Sequence, residues 1–164
     1  MIDISMAGVS VVLKFKYGSD SVIKLTQFSD DGDPIATQPA QIADGKRTMN
    51  GELVTWSTPV TYGVTFTLIP GSYDDRRLRA KLRKYAMRDE TAPRYNAAIK
   101  SLTIKRPGTK GFGDEEDIAN GEEVTFVDGR MREGTPVVGS NSDGKALPST
   151  YSFMFKDIQY TQID

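Results

Sequence analysis

Alternating apolar and polar positions predict that most of this chain folds as antiparallel β-sheet. From Val9 to Tyr17 an apolar side chain stands at every second position, separated by residues such as Lys14 and Lys16, and a period of two is typical of a half-buried strand. Residues 21–28 are again rich in β-branched residues, after a Gly-Ser-Asp turn, so the two runs predict an opening hairpin. Residues 61–69 alternate most cleanly and predict a third strand.

Other runs are assigned by the same criteria. Residues 35–42 contain Pro39, which cannot donate to a ladder, so they are predicted as an irregular edge strand. The Asp-Gly-Lys-Arg stretch at 44–47 is interpreted as a break between elements. The remaining predicted strands are 51–57, 96–106, 122–131 and 149–162, and the predicted long loops are about 107–120 and 132–148.

One helix is predicted, from about Tyr73 to Met87. Ser72 follows a Pro-Gly stop and can cap the helix by accepting a hydrogen bond from the amide of Asp75, and acidic residues in the first turn favour the helix dipole. An apolar stripe suited to packing on a sheet consists of Leu78, Leu82, Tyr85 and Ala86. About seven strands and one helix therefore predict a single mainly β (α+β) domain over residues 1–164, an antiparallel sandwich or barrel with the helix packed on its side.

Composition narrows the chemistry that this fold could carry. The 164 residues include no Cys and no His, which excludes cysteine nucleophiles, disulfides, imidazole metal sites and triads with a His base. The N-terminus does not resemble a signal peptide, and no apolar run approaches the roughly 20 residues that span a bilayer. Asp30, Asp31 and Asp33 could bind a cation, but a solvated turn is the favoured interpretation. We therefore expect no enzyme, no metal site and no cofactor.

Charge is balanced overall but segregated locally. The net charge is -1 and the pI about 5.6, which disfavours a dedicated nucleic-acid binder. The predicted helix nevertheless carries seven cations: Arg76, Arg77, Arg79, Lys81, Arg83, Lys84 and Arg88. An acidic run, Asp114, Glu115, Glu116 and Asp117, is the natural counterpart for this helix in a neighbouring copy. Two separate patches of opposite charge suit a heterologous contact that closes into a ring.

A resemblance gives these features a context. Residues 64–82 (VTFTLIPGSYDDRRLRAKL) resemble the equivalent strand, turn and helix of tail tube proteins from contractile-tailed bacteriophages. The resemblance implies a non-catalytic structural protein of the virion tail, made in the host cytoplasm. It also implies stacked hexameric rings in contact with sheath and baseplate proteins, around a channel through which DNA passes without specific binding.

Site residues follow from this interpretation as expectations. Residues expected to face the channel are Lys14, Lys16, Lys24, Thr61, Thr65 and Thr67. Residues expected at interfaces between copies are Arg76, Arg77, Arg79, Arg83, Lys84, Asp114, Glu115, Glu116 and Asp117. Two alternatives stay open: a tail terminator or baseplate subunit of the same fold, and a monomeric binding module that uses Trp56 for stacking and the basic helix 73–88 for nucleic acid or an acidic partner.

Overall fold

The computed structural model describes residues 9–16, 21–30, 32–86, 98–106 and 121–163. Within these ranges lie nine strands and one helix: β1 (Ser10–Phe15), β2 (Val22–Leu25), β3 (Ile35–Thr37), β4 (Ala43–Arg47), β5 (Leu53–Ser57), β6 (Tyr62–Leu68), α1 (Tyr73–Ala86), β7 (Ala98–Arg106), β8 (Gly121–Gly134) and β9 (Ser149–Ile163). Seven strands form one antiparallel sheet in the order β2-β1-β7-β8-β9-β6-β3, and β4 and β5 form a separate two-stranded sheet.

The core lies on the side of the large sheet that α1 covers. The alternating positions of β1 (Val11, Leu13, Phe15) and of β6 (Val64, Phe66, Leu68) are all buried, as the period of two predicts. Leu78 of α1 is fully buried in the same cluster. The predicted fold class is confirmed, because the chain is mostly β and its curled antiparallel sheet carries a helix on one side.

Curling brings two distant parts of the sheet together. Phe28, just after β2, forms an antiparallel bridge with Leu68 of β6. The Ser29 amide donates to the Thr67 carbonyl at 3.0 Å, and the Ile69 amide donates to the Gln27 carbonyl at 3.0 Å. The sheet is therefore a half-barrel, closed at this corner by the chain that follows β2.

A bend crosses the middle of the sheet. Ile99 and Leu102 of β7 are both buried in the core, as are Phe155 and, in part, Ile158 of β9, although positions three apart point to opposite faces of a regular strand. In β8, the residues that pair with these positions are Phe126 and Gly129. Asp128 lies between them and has a backbone φ of 61°. An irregularity thus runs through three adjacent strands at one level, and irregularities of this kind sharpen the local bend of a sheet.

The main differences from the sequence prediction concern three segments. Residues 43–47 form β4 rather than a break, because each of them pairs with a residue of β5. Strand β8 continues to Gly134, into the segment predicted as a loop, because its end pairs with the start of β9. The predicted edge strand is confirmed at the sheet edge but shortens to β3, ahead of Pro39. The predicted loop 107–120 lies outside the described residues.

Candidate assembly surfaces

The hairpin formed by β4 and β5, here called the arm, stands apart from the large sheet with every residue exposed. Trp56 and Val54 pair with Asp44 and Lys46 on one face, whereas Leu53 pairs with Arg47 on the other. Leu53 is 67% exposed and Trp56 46%, so apolar side chains meet water on both faces of the ribbon. An isolated two-stranded hairpin is at best marginally stable in water, and an apolar surface of this kind marks an interaction site.

Helix α1 is fixed at its N-terminus by two buried carboxylates. Ser72 caps the helix as predicted, accepting from the Asp75 amide at 3.3 Å. The Asp74 carboxylate accepts from the amides of Thr26 (2.8 Å) and Gln27 (3.1 Å), and the side-chain oxygen of Gln27 accepts from the Asp74 amide at 3.2 Å. Asp74 therefore holds the start of the helix against the chain that follows β2. This contact is additional to the favourable interaction of its carboxylate with the helix dipole.

The second carboxylate is the centre of a buried network. Asp75 is 0% exposed and accepts from the Arg79 guanidinium at 2.8 and 3.0 Å, from the Tyr151 hydroxyl at 2.7 Å and from the Gly71 amide at 2.8 Å. Arg79 also donates to the Ser149 hydroxyl at 3.0 Å. Burial and the hydrogen bond to Asp75 raise the pKa of Tyr151 well above its usual range. The network joins α1 to β9.

The cations of α1 therefore divide into two groups. Arg79 and Lys81 are buried; Lys81 lies 4.8 Å from the centre of the Phe15 ring. Arg77 is half-buried and donates to the Val22 carbonyl at 2.8 Å. In the described part of the helix, the exposed cations are Arg76, Arg83 and Lys84. The acidic counterpart predicted at 114–117 lies outside the described residues.

The face of the sheet opposite the core is polar. Thr65 and Ser152 form a hydroxyl pair at 3.0 Å, and Thr103 and Thr125 form another at 3.3 Å. Lys14 shares this face, since it alternates with the buried positions of β1. Thr67 and Lys24 alternate with the buried positions of β6 and β2 in the same way, and Thr61, just before β6, is exposed. The structure thus gathers most residues expected to face a channel onto one surface.

Lys16 and Thr61 both line a cleft beside the bend. This basic cleft has a volume of about 550 Å³, and its apolar lining includes Val60, Ala98 and Met154. Its charged lining comprises Lys16, Asp128, Arg130 and Lys156. Lys16 forms an ion pair with Asp128, and this hydrogen bond, with the positive charge of Lys16 and Lys156, lowers the pKa of Asp128. With three cations against one carboxylate, the lining carries a net charge of about +2 at pH 7.

Sequence reasoning did not find the basic cleft, because its cations come from the residue after β1, from β8 and from β9, and are far apart along the chain. Among the described residues, no group of three or more carboxylates is close enough to hold a metal ion. In the same part of the chain, no helix is long and apolar enough to cross a bilayer.

Comparison with solved structures finds this fold in other proteins. Two solved structures have the same fold, each with a TM-score of 0.52 over 98% of this chain. One is the anti-feeding prophage cap, a tube terminating cap, at 11% identity over 92% of its chain. The other is the sheath/tube terminator of an extracellular contractile injection system in its extended state, at 10% identity over 98% of its chain.

Sequence comparison is more specific than the shared fold. No curated protein matches the chain. The family model of tail fiber protein gp32 matches residues 2–103, which is more than half of the 164 residues. The resemblance to phage tail proteins is therefore confirmed at the level of the tail, and the chain belongs to the tail fiber protein gp32 family.

Proposed function

We propose that this protein is a non-enzymatic structural subunit that assembles with its own copies into hexameric rings of the inner tail tube, through which the genome passes. The arm carries the proposal. Its two apolar faces are exposed in a single copy, and burying them against a neighbouring copy would stabilise both the ribbon and the assembly.

The opposite faces of the sheet support the same arrangement. The hydroxyl pairs that Thr65 forms with Ser152 and Thr103 with Thr125 make the face opposite the core wettable. This polar face lines the channel in the proposed ring. The exposed cations Arg76, Arg83 and Lys84 lie on the helix, on the other side of the core, where they face an acidic surface of the sheath.

A second candidate is a ring that terminates the tube. It is favoured by the two similar solved structures, which are a tube terminating cap and a sheath/tube terminator. Both candidates use the same lateral contacts between copies, and they differ in whether one ring stacks on the next.

Negative-stain electron microscopy with light scattering of the full chain tests the proposal. Hollow tubes that lengthen with protein concentration support the tube subunit, and single rings at every concentration support the terminator. An 18.1 kDa monomer at all concentrations and salt conditions refutes both, and favours the monomeric binding module with Trp56 as its stacking residue.

A further inference from the structure

The acidic run at 114–117 and the basic cleft are tethered at opposite ends of the same hairpin. The acidic run lies in the connection between Arg106 and Gly121, and Arg106 pairs with Glu122 at that end of the β7–β8 ladder. The cleft lies where β7 begins, beside the pairs Ala98 with Arg130 and Ile99 with Gly129. Eight residues separate Gly121 from Gly129, which is about 27 Å at roughly 3.4 Å per residue.

The acidic run is too short to fill the cleft of its own chain. Asp117 is four residues from Gly121, so its backbone reaches at most about 14 Å from that end of β8. Asp114 is seven residues away and reaches about 25 Å only if the whole stretch is extended. The run as a cluster can meet the cleft only in another molecule.

The acidic run and the basic cleft are complementary in charge and in apolar character. Phe112 and Ile118 flank the four acids in the sequence, and the lining of the cleft combines cationic with apolar side chains. Arg130 and Lys156 are exposed, and the structure gives neither of them an ion pair among the described residues. By contrast, Arg77 and Lys81 of the helix already contact groups of their own chain.

We infer that the acidic run 114–117 of one copy docks in the basic cleft of the next, so that copies associate head to tail. This inference rests on the proposed function and adds the contact that orders one copy after another. Because the two patches are distinct and lie at opposite ends of the hairpin, the contact is heterologous and propagates in one direction.

Charge reversal with a mixing rescue tests the contact in the full chain. The cleft variant is Arg130→Glu with Lys156→Glu, and the run variant reverses all four acids: Asp114→Lys, Glu115→Lys, Glu116→Lys and Asp117→Lys. Each alone associates at least about tenfold more weakly than the unchanged chain in sedimentation velocity, because like charges now face each other. An equimolar mixture recovers association, since each altered patch meets its altered partner and each unchanged patch meets its unchanged one.

The helix provides the matched control. Arg83→Glu with Lys84→Glu reverses two exposed cations outside the cleft, and association equal to that of the unchanged chain is expected. Loss in this helix variant with no loss in the cleft variant overturns the inference and places the acidic run on the helix instead. A mixture that does not recover, although both variants retain the far-ultraviolet circular dichroism of the unchanged chain, also overturns it.

Failure of the inference is distinguishable from failure of the proposed function. If the unchanged chain forms rings or tubes and the cleft variant forms them equally well, only the head-to-tail contact is wrong. If the unchanged chain stays monomeric, the proposed function fails and the contact fails with it. Carbodiimide cross-linking of the assembled protein gives an independent readout, with cross-links expected between Lys156 and the acidic run of a different, isotopically labelled copy.

Discussion

Truncating Trp56 of the arm is the most direct perturbation of the proposed assembly. Its side chain is 46% exposed in a single copy. For a Trp surface of about 250 Å², that leaves about 115 Å² to be covered by a neighbour. At about 25 cal/mol per Å² the burial stabilises each contact by about 3 kcal/mol. Trp56→Ser should therefore weaken association by roughly a hundredfold.

Stability of the single copy should change little, because the arm pairs with itself and not with the large sheet. Urea denaturation followed by circular dichroism measures that stability, and we expect Trp56→Ser to lie within about 0.5 kcal/mol of the unchanged chain. Sedimentation velocity across a concentration series measures association.

Ile69→Ser is the matched control, since Ile69 is 47% exposed but lies outside the arm. The reasoning is refuted if Trp56→Ser assembles as well as Ile69→Ser. It is also refuted if the loss of association follows a loss of folded protein.

Three further predictions concern the fold. Asp75→Asn should destabilise the protein by about 3–5 kcal/mol in urea denaturation, because it leaves the buried guanidinium of Arg79 without its charged partner; a change below about 1 kcal/mol would contradict the network. The raised pKa of Tyr151 means that the folded state keeps its proton above pH 10 while the unfolded state loses it. Stability should therefore fall as pH rises above about 10, by about 1.4 kcal/mol per pH unit, and Tyr151→Phe should remove that part of the slope in denaturation curves between pH 9 and 11. Gly129→Ala should destabilise the folded protein by about 1–3 kcal/mol, because a β-carbon there would collide with the Met154 carbonyl oxygen and the Phe155 ring. An unchanged melting temperature would contradict this close packing of β8 against β9.

The local sequence pattern was sufficient to predict the strands in which buried and exposed residues alternate regularly. The period of two in β1 and β6 reports which face is covered, and it requires no knowledge of the neighbouring strands. The start of α1 was equally predictable, because Ser72 and the acids after it act within one helical turn. The mainly β class and the helix on its side follow from these elements.

Pairing with distant residues decided the boundaries that the pattern missed. Strand β4 contains Asp, Gly, Lys and Arg, a composition typical of a turn, yet β5 supplies hydrogen-bonding partners across the ladder. Strand β8 extends to Gly134 for the same reason, since β9 pairs with it. Strand formation depends on partners as much as on propensity.

Charge segregation, the absence of Cys and His, and the alternation that builds the sheet can all be recognised in the amino-acid sequence. The role of each charge depends on packing between elements that are distant along the chain. Arg79 was expected at an interface, but it lies inside the chain against Asp75, because a helix carries cations on faces that only packing separates into buried and exposed. The basic cleft is likewise a property of the bend, which brings Lys16 together with Arg130 and Lys156 from strands more than a hundred positions away along the chain.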